Sequence, residues 1–197
     1  MKTVNSATLI DRLQNDTRQI LVRLSHLRQV DPEILAQPPA PGKWSVAQVI
    51  EHLNSYGRYY LPQLQKALDQ SDCPANATFK HGLLGNYFTQ SMAPKANNRI
   101  THKMQAPKGH RPPVDIDSKT VMDEFEKQEL WLLELLNRAR QTDIGKLRIP
   151  ITIAPFIKLK MGDVFGFLIA HHQRHFVQID NALVMQRAGA PGFANKK

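Results

Sequence analysis

Residues 167–180 read FLIAHHQRHFVQID, and this stretch decides what the rest of the chain must form. Apolar residues recur through 162–187 at the spacing of a buried helix face, which predicts a long helix. His171 and His175 are four positions apart, so they share one face of that helix, one turn from each other. Two imidazoles in this arrangement can converge on a single metal ion.

A third histidine, His52, lies far upstream in WSVAQVIEHL (44–53). Ser45 and Gln48 match a capping box, which predicts that a helix begins near Trp44. His52 would lie about 10 Å along this helix, and His171 and His175 about 13 and 20 Å along theirs. If the two helices are parallel, the three imidazoles reach similar heights.

Three imidazole ligands with one free coordination position are typical of a catalytic zinc-type site. The alternative is structural. A single histidine on an apolar face is more often an ordinary core residue, and a pair four positions apart also arises by chance. The pattern by itself leaves both interpretations open.

The apolar periodicity predicts four long helices, at residues 6–30, 44–68, 118–139 and 162–187. We therefore predict an all-α protein, an up-and-down four-helix bundle with a long connection between its second and third helices. Thr120 and Asp123 indicate the start of the third helix, and Pro62 should bend the second or loosen one turn. We expect one domain over 1–187 and a flexible tail over 188–197.

Two shorter segments lie in the connections. Residues 81–90 could form one short helix. Residues 148–153 have some strand character, but Pro150 and Pro155 favour an extended loop.

The connection from Cys73 to Val114 contains no Asp or Glu, although it contains six cations in a chain of net charge +9: Lys80, Lys95, Arg99, Lys103, Lys108 and Arg111. One interpretation is a solvated basic loop; the other is a surface that attracts an anionic small molecule. No DNA- or RNA-binding motif accompanies the charge, so we expect no nucleic-acid partner.

Other sequence features limit the possible classes of protein. No stretch approaches the roughly 20 apolar residues of a membrane span, so we expect no membrane partner. The first residues become charged too early for a secretory signal peptide, and Cys73 is the only cysteine. We therefore expect a cytoplasmic protein.

Two segments resemble a known family. GKWSVAQVIEHLNSYGRYY (42–60) resembles the second helix of DinB-like proteins of the DinB/YfiT superfamily, in which a Trp-Ser start precedes a metal-binding histidine. FLIAHHQRHFVQID resembles their last helix, with its H-x-x-R-H-x-x-Q segment. Residue by residue, the family's three metal ligands fall on His52, His171 and His175.

The resemblance implies a four-helix bundle that binds a divalent ion, zinc or nickel, and forms a homodimer. Relatives include transferases and isomerases that use low-molecular-weight thiols such as bacillithiol or mycothiol, and others are regarded as metal-dependent hydrolases. This chain departs from the family in its long basic connection and in Lys160, where Ser or Thr often caps the last helix. The ligands are intact, and the substrate stays open.

Around the ligands, Gln48 and Gln178 are candidates to orient the imidazoles. Arg174 could hold a carboxylate of a thiol cofactor or substrate, or form a salt bridge instead. We expect His172, one residue off the inward face, to be solvent-exposed or to support a ligand. The other histidines have no spacing partner and stay unassigned: His26, His81, His102 and His110.

Overall fold

The computed structural model of the protein describes residues 3–94 and 105–189. Its helices are α1 (Ser6–Leu27), α2 (Pro32–Ala36), α3 (Val46–Asp69), α4 (Leu83–Met92), α5 (Ser118–Arg138) and α6 (Met161–Gly189). Its strands are β1 (Thr3–Asn5), β2 (Thr78–Lys80), β3 (Arg148–Ile151) and β4 (Ala154–Lys160). Single 3-10 turns occupy Lys108–His110 and Ala139–Gln141. The fold is mainly helical, which confirms the predicted all-α class.

Four long helices build the core. Helix α3 packs against α5 and α6, and α1 packs against the same two helices. Side chains such as Ile50, Leu64, Phe125 and Phe165 are fully buried between them. Each such burial contributes roughly 1.5–3 kcal/mol, so this core would hold α3 and α6 side by side without help from a ligand.

The helix starts follow side-chain caps. The predicted capping box is confirmed, since Ser45 Oγ accepts from the Gln48 amide at 3.2 Å and Gln48 Oε1 accepts from the Ser45 amide at 2.9 Å. The prediction for α5 was wrong in detail: Asp117 is its cap and accepts from the Thr120 amide at 2.8 Å. Helix α3 runs on through Pro62.

Two antiparallel strand pairs flank the bundle: β1 with β2, and β3 with β4. The second pair corrects the expectation of an extended loop over 148–153. Pro150 lies opposite Lys158, and the register shifts directly after it. A proline is tolerated beside such an irregularity in a two-stranded ladder, while Ile149 and Leu159 on the pair are buried.

The long connection carries the short helix predicted for 81–90, observed as α4 two residues further on. Helix α4 packs on α6. Strand β4 runs directly into α6, so the last helix begins without a preceding loop, and Lys160 stands at the place of a cap. Within 3–94 and 105–189, every helix is too short or too polar to cross a membrane.

Candidate metal centre

The structure brings His52 of α3 together with His171 and His175 of α6. The Nε2 atom of His171 lies 3.3 Å from Nε2 of His52 and 3.0 Å from Nε2 of His175. One ligand atom from each residue falls within 4.8 Å of the other two. We call these residues the three-histidine cluster. The three imidazoles therefore meet, as predicted from their similar positions along two parallel helices. Metal binding by the cluster remains a prediction.

The hydrogen bonds at the far side of two rings fix which nitrogen carries the proton. His52 Nδ1 lies 2.7 Å from the His110 carbonyl oxygen, and His175 Nδ1 lies 2.9 Å from Gln178 Oε1. Since both oxygens only accept, both Nδ1 atoms donate and both Nε2 atoms present lone pairs. His171 Nε2 has at most one proton to share between these two lone pairs. The three Nε2 atoms therefore have more lone pairs than N–H protons to fill them, and a metal cation can accept these lone pairs.

Burial keeps the cluster neutral. Burial is the main cause that lowers the pKa of His52 to about 4, and it lowers the pKa of His171 and of His175 well below the ordinary value. All three side chains are nearly closed to solvent. Metal ligands must be neutral imidazoles, so at pH 7 no proton has to leave before an ion binds.

The groups that orient the rings are only partly those suggested by the sequence. Gln178 accepts a hydrogen bond from His175, as expected for a residue that orients this imidazole. Gln48 does not orient His52: it caps α3, and its Nε2 donates to the Pro113 carbonyl at 3.0 Å. The acceptor for His52 is the backbone of His110, which sequence reasoning left unassigned. A backbone carbonyl leaves no residue-type signal, so no motif could have revealed it.

The ring of His110 is also engaged. Its Nδ1 lies 2.9 Å from Ser55 Oγ, and it stacks on Tyr56 with ring centroids 3.9 Å apart. The segment 105–113 therefore closes one side of the cluster. Of the other unassigned histidines, His81 is bonded to the buried Asp163, with its Nδ1 2.7 Å from Asp163 Oδ1. His102 lies outside the described residues.

The expectation of a solvent-exposed His172 was wrong. His172 is 4% exposed, and its Nδ1 lies 2.8 Å from Oε1 of Glu129, which is 1% exposed. The angles between the two groups are not those of a hydrogen bond. The reason is packing, because the His172 side chain points into the bundle core, where the Phe125 ring of α5 is 5.3 Å from the imidazole.

A cavity of about 910 Å³ opens over the three-histidine cluster. Tyr56 and Phe167 line it, and their rings lie 4.5 and 5.7 Å from the ring of His171. Burial raises the pKa of Tyr56 to about 12, so its phenol stays protonated at neutral pH. Arg174 also lines the cavity, and burial lowers its pKa.

The basic connection reaches this cavity through Gln105, Ala106, Pro107 and Arg111. Arg111, one of the six cations of the connection, therefore lies on the cavity wall. Lys95, Arg99 and Lys103, three of its six cations, lie outside the described residues.

The fold and the cluster define a class: a helical bundle with a candidate three-histidine metal centre at the floor of a cavity. The family model of the DinB superfamily matches residues 10–179, so the chain belongs to the DinB superfamily. The match includes α3 and most of α6, with all three histidines. No curated protein and no solved structure matches the chain significantly.

Proposed function

We propose that the protein is a divalent-metal-dependent enzyme, a thiol S-transferase or a hydrolase. The observation that carries the proposal is the convergence of three neutral imidazoles at the floor of a cavity large enough for a small-molecule substrate. When bound, an ion held by three imidazoles keeps a free coordination position and lowers the pKa of a water or thiol placed there.

The chain's own residues prepare this site. The His110 carbonyl and Gln178 hold two imidazoles with their lone pairs turned inward, which is the usual work of groups behind metal ligands. Tyr56 offers a protonated phenol at the cavity wall. A phenol in that place can donate a hydrogen bond to an oxygen that gains negative charge during the reaction.

Several finer parts of the proposal derive from the family resemblance. The ion is zinc or nickel, both of which accept imidazole ligands. The co-substrate of a transferase would be a low-molecular-weight thiol, and the substrate a small, anionic molecule. We further propose that the protein works as a homodimer in the cytoplasm.

Metal analysis tests the premise. Protein purified without a nickel column should contain, or take up, close to one zinc or nickel ion per chain by plasma mass spectrometry. His175→Ala should lose the ion, while His26→Ala, which removes an exposed histidine on α1, should keep it. Well under one ion per chain after zinc and nickel are added would refute the metal assignment.

The second candidate is a dimeric module that binds metal or a small molecule without turnover. It is favoured by one observation: among the described residues, no carboxylate lines the cavity as a general acid or base. Conjugation of electrophiles by several thiols, and hydrolysis of an ester panel, separate the two. Turnover by loaded protein that His175→Ala abolishes supports the enzyme; stoichiometric metal with no turnover across both panels supports the module.

A further inference from the structure

The charged side chains that line the cavity over the three-histidine cluster have one sign. Lys43, Arg111 and Arg174 line it, and no Asp or Glu does within the described residues. The undescribed positions 1–2, 95–104 and 190–197 contain no Asp or Glu either. A wall of this composition favours an anionic ligand.

Most of the rest of the wall is apolar. Trp44, Tyr56, Phe88 and Phe167 present aromatic rings, and Ile151 and Leu159 bring the β3–β4 pair against the same space. Phe88 and Phe167 are in edge contact, with centroids 6.4 Å apart. Such a surface binds apolar groups by removing them from water.

The wall is poor in partners for a strongly polar ligand. Gln178 is already bonded to His175. Outside the three-histidine cluster, the other neutral polar side chains on the wall are Gln105, Thr152 and Asn181, together with the Tyr56 and Tyr60 phenols and the Trp44 indole N–H. A sugar-based thiol would bring many hydroxyl groups into this space, and each hydroxyl left without a partner would weaken binding.

We propose that the cavity binds an amphipathic acid: a carboxylate placed beside Arg174, joined to an aromatic or alkyl body that lies on the apolar wall. This rests on the proposed function, because it names the substrate class of the same site. Arg174 is 8% exposed and stands on α6 directly before the cluster residue His175. A guanidinium there can receive a carboxylate through charge-assisted hydrogen bonds.

Fluorescence can measure binding without any knowledge of the reaction. Of the two tryptophans, Trp44 lines the cavity and Trp131 lies elsewhere, bonded to Gln65. In a Trp131→Phe background, Trp44 emission reports occupancy. The probes are 4-phenylbutyrate, its neutral analogue 4-phenylbutan-1-ol, butyrate and 1-thioglucose, each titrated into EDTA-stripped and zinc-loaded protein at pH 7.5.

The expected order is 4-phenylbutyrate at least tenfold tighter than each of the other three probes, in both forms of the protein. Arg174→Gln should weaken the acid by about tenfold to a hundredfold, the range for a lost charge-assisted hydrogen bond, and leave the alcohol unchanged. Arg187→Gln makes the same charge change on an exposed position of α6 and should change neither.

A second variant with its matched control tests the apolar wall. Phe88→Ala should weaken both the acid and the alcohol several-fold, whereas Tyr87→Ala, its neighbour on α4 with 66% exposure, should weaken neither. If Arg174→Gln does not fold, Arg174→Lys keeps the charge but not the forked geometry, and should retain a reduced preference for the acid.

The results that overturn the proposal differ from those that overturn the metal assignment. Equal binding of the acid and the alcohol, or tighter binding of butyrate or 1-thioglucose, refutes the amphipathic acid. A preference for the acid only in zinc-loaded protein places the carboxylate on the ion and refutes the role of Arg174. A preference in stripped protein without any zinc uptake supports the acid and refutes the metal centre.

Discussion

The buried pair of His172 and Glu129 allows a test that distinguishes residues that stabilise the fold from residues that bind metal. His172 neighbours the cluster residue His171 in sequence, but its imidazole faces α5 instead of the cluster, 2.8 Å from the Glu129 carboxyl group of α5. Replacement by leucine, His172→Leu, keeps a similar volume and removes the imidazole nitrogen that lies within ion-pair distance of the carboxyl group, which is 1% exposed.

The magnitude follows from that burial. An unpartnered buried polar group costs about 1–3 kcal/mol, and an unpaired buried charge roughly 3–5 kcal/mol. We expect His172→Leu to lower the free energy of unfolding by about 3 kcal/mol, because leucine fills most of the space and adds little cavity cost. The double variant His172→Leu/Glu129→Leu should recover most of this loss, since apolar replacement of both partners removes the unpaired group.

Urea denaturation followed by circular dichroism measures the loss, and plasma mass spectrometry measures the metal. The matched control is His26→Leu, the same change at an exposed position, which should stay within about 0.5 kcal/mol of wild type. His172→Leu should keep its ion. The reasoning is refuted if its unfolding free energy matches that of the control, if the double variant is no more stable than the single one, or if the ion is lost.

Three further outcomes follow from the same structure. Alanine at any one residue of the three-histidine cluster should abolish stoichiometric metal binding. The loss of stability should be modest, because the bundle has its own apolar core. If a variant still binds one ion per chain, the replaced histidine is not a metal ligand. Gly57→Ala places a Cβ 1.8 Å from the Gln128 side-chain oxygen and should cost about 1–2 kcal/mol, whereas Gly166→Ala, with ordinary contacts near 3.4 Å, should be neutral or stabilising in the same melts. Metal-free protein should lose stability as pH falls from 7 to 5, because the pKa of His52 is about 4 in the folded state and 6.5 in the unfolded state, so that the unfolded state binds the extra proton. This residue alone should lower the free energy of unfolding by about 2 kcal/mol at pH 5. An equal urea midpoint at pH 7 and pH 5 would contradict this prediction.

The helical framework could be predicted because its signals are local. Apolar spacing over 3.6 residues per turn marks each long helix, and the Ser45 capping box marks the start of α3. The start of α5 at residue 118 was predicted correctly, but a similar pattern at Thr120 indicated the wrong capping residue, because Asp117 is the actual cap. Both positions carry a residue type that can cap, and the choice between them depends on where the preceding backbone turns.

The β3–β4 pair was missed for a different reason. Proline in a short apolar segment weakens the prediction of a strand, because it removes a hydrogen-bond donor. In the structure Pro150 lies where the ladder shifts register, so the missing donor has little cost there. The register is a property of two segments together, and neither segment shows it alone.

The cluster itself could be placed because its three members are carried by rigid helices whose inward faces follow from periodicity. The surroundings of these residues depend on partners brought in from elsewhere. His172 is buried because its side chain points into the bundle core, where α5 supplies Phe125 and Glu129. His52 is oriented by the carbonyl of His110, a group that every residue type carries. Sequence can therefore identify the three histidines of such a cluster, while the groups that set their proton positions and border the cavity become evident only once the segment 105–113 lies against α3.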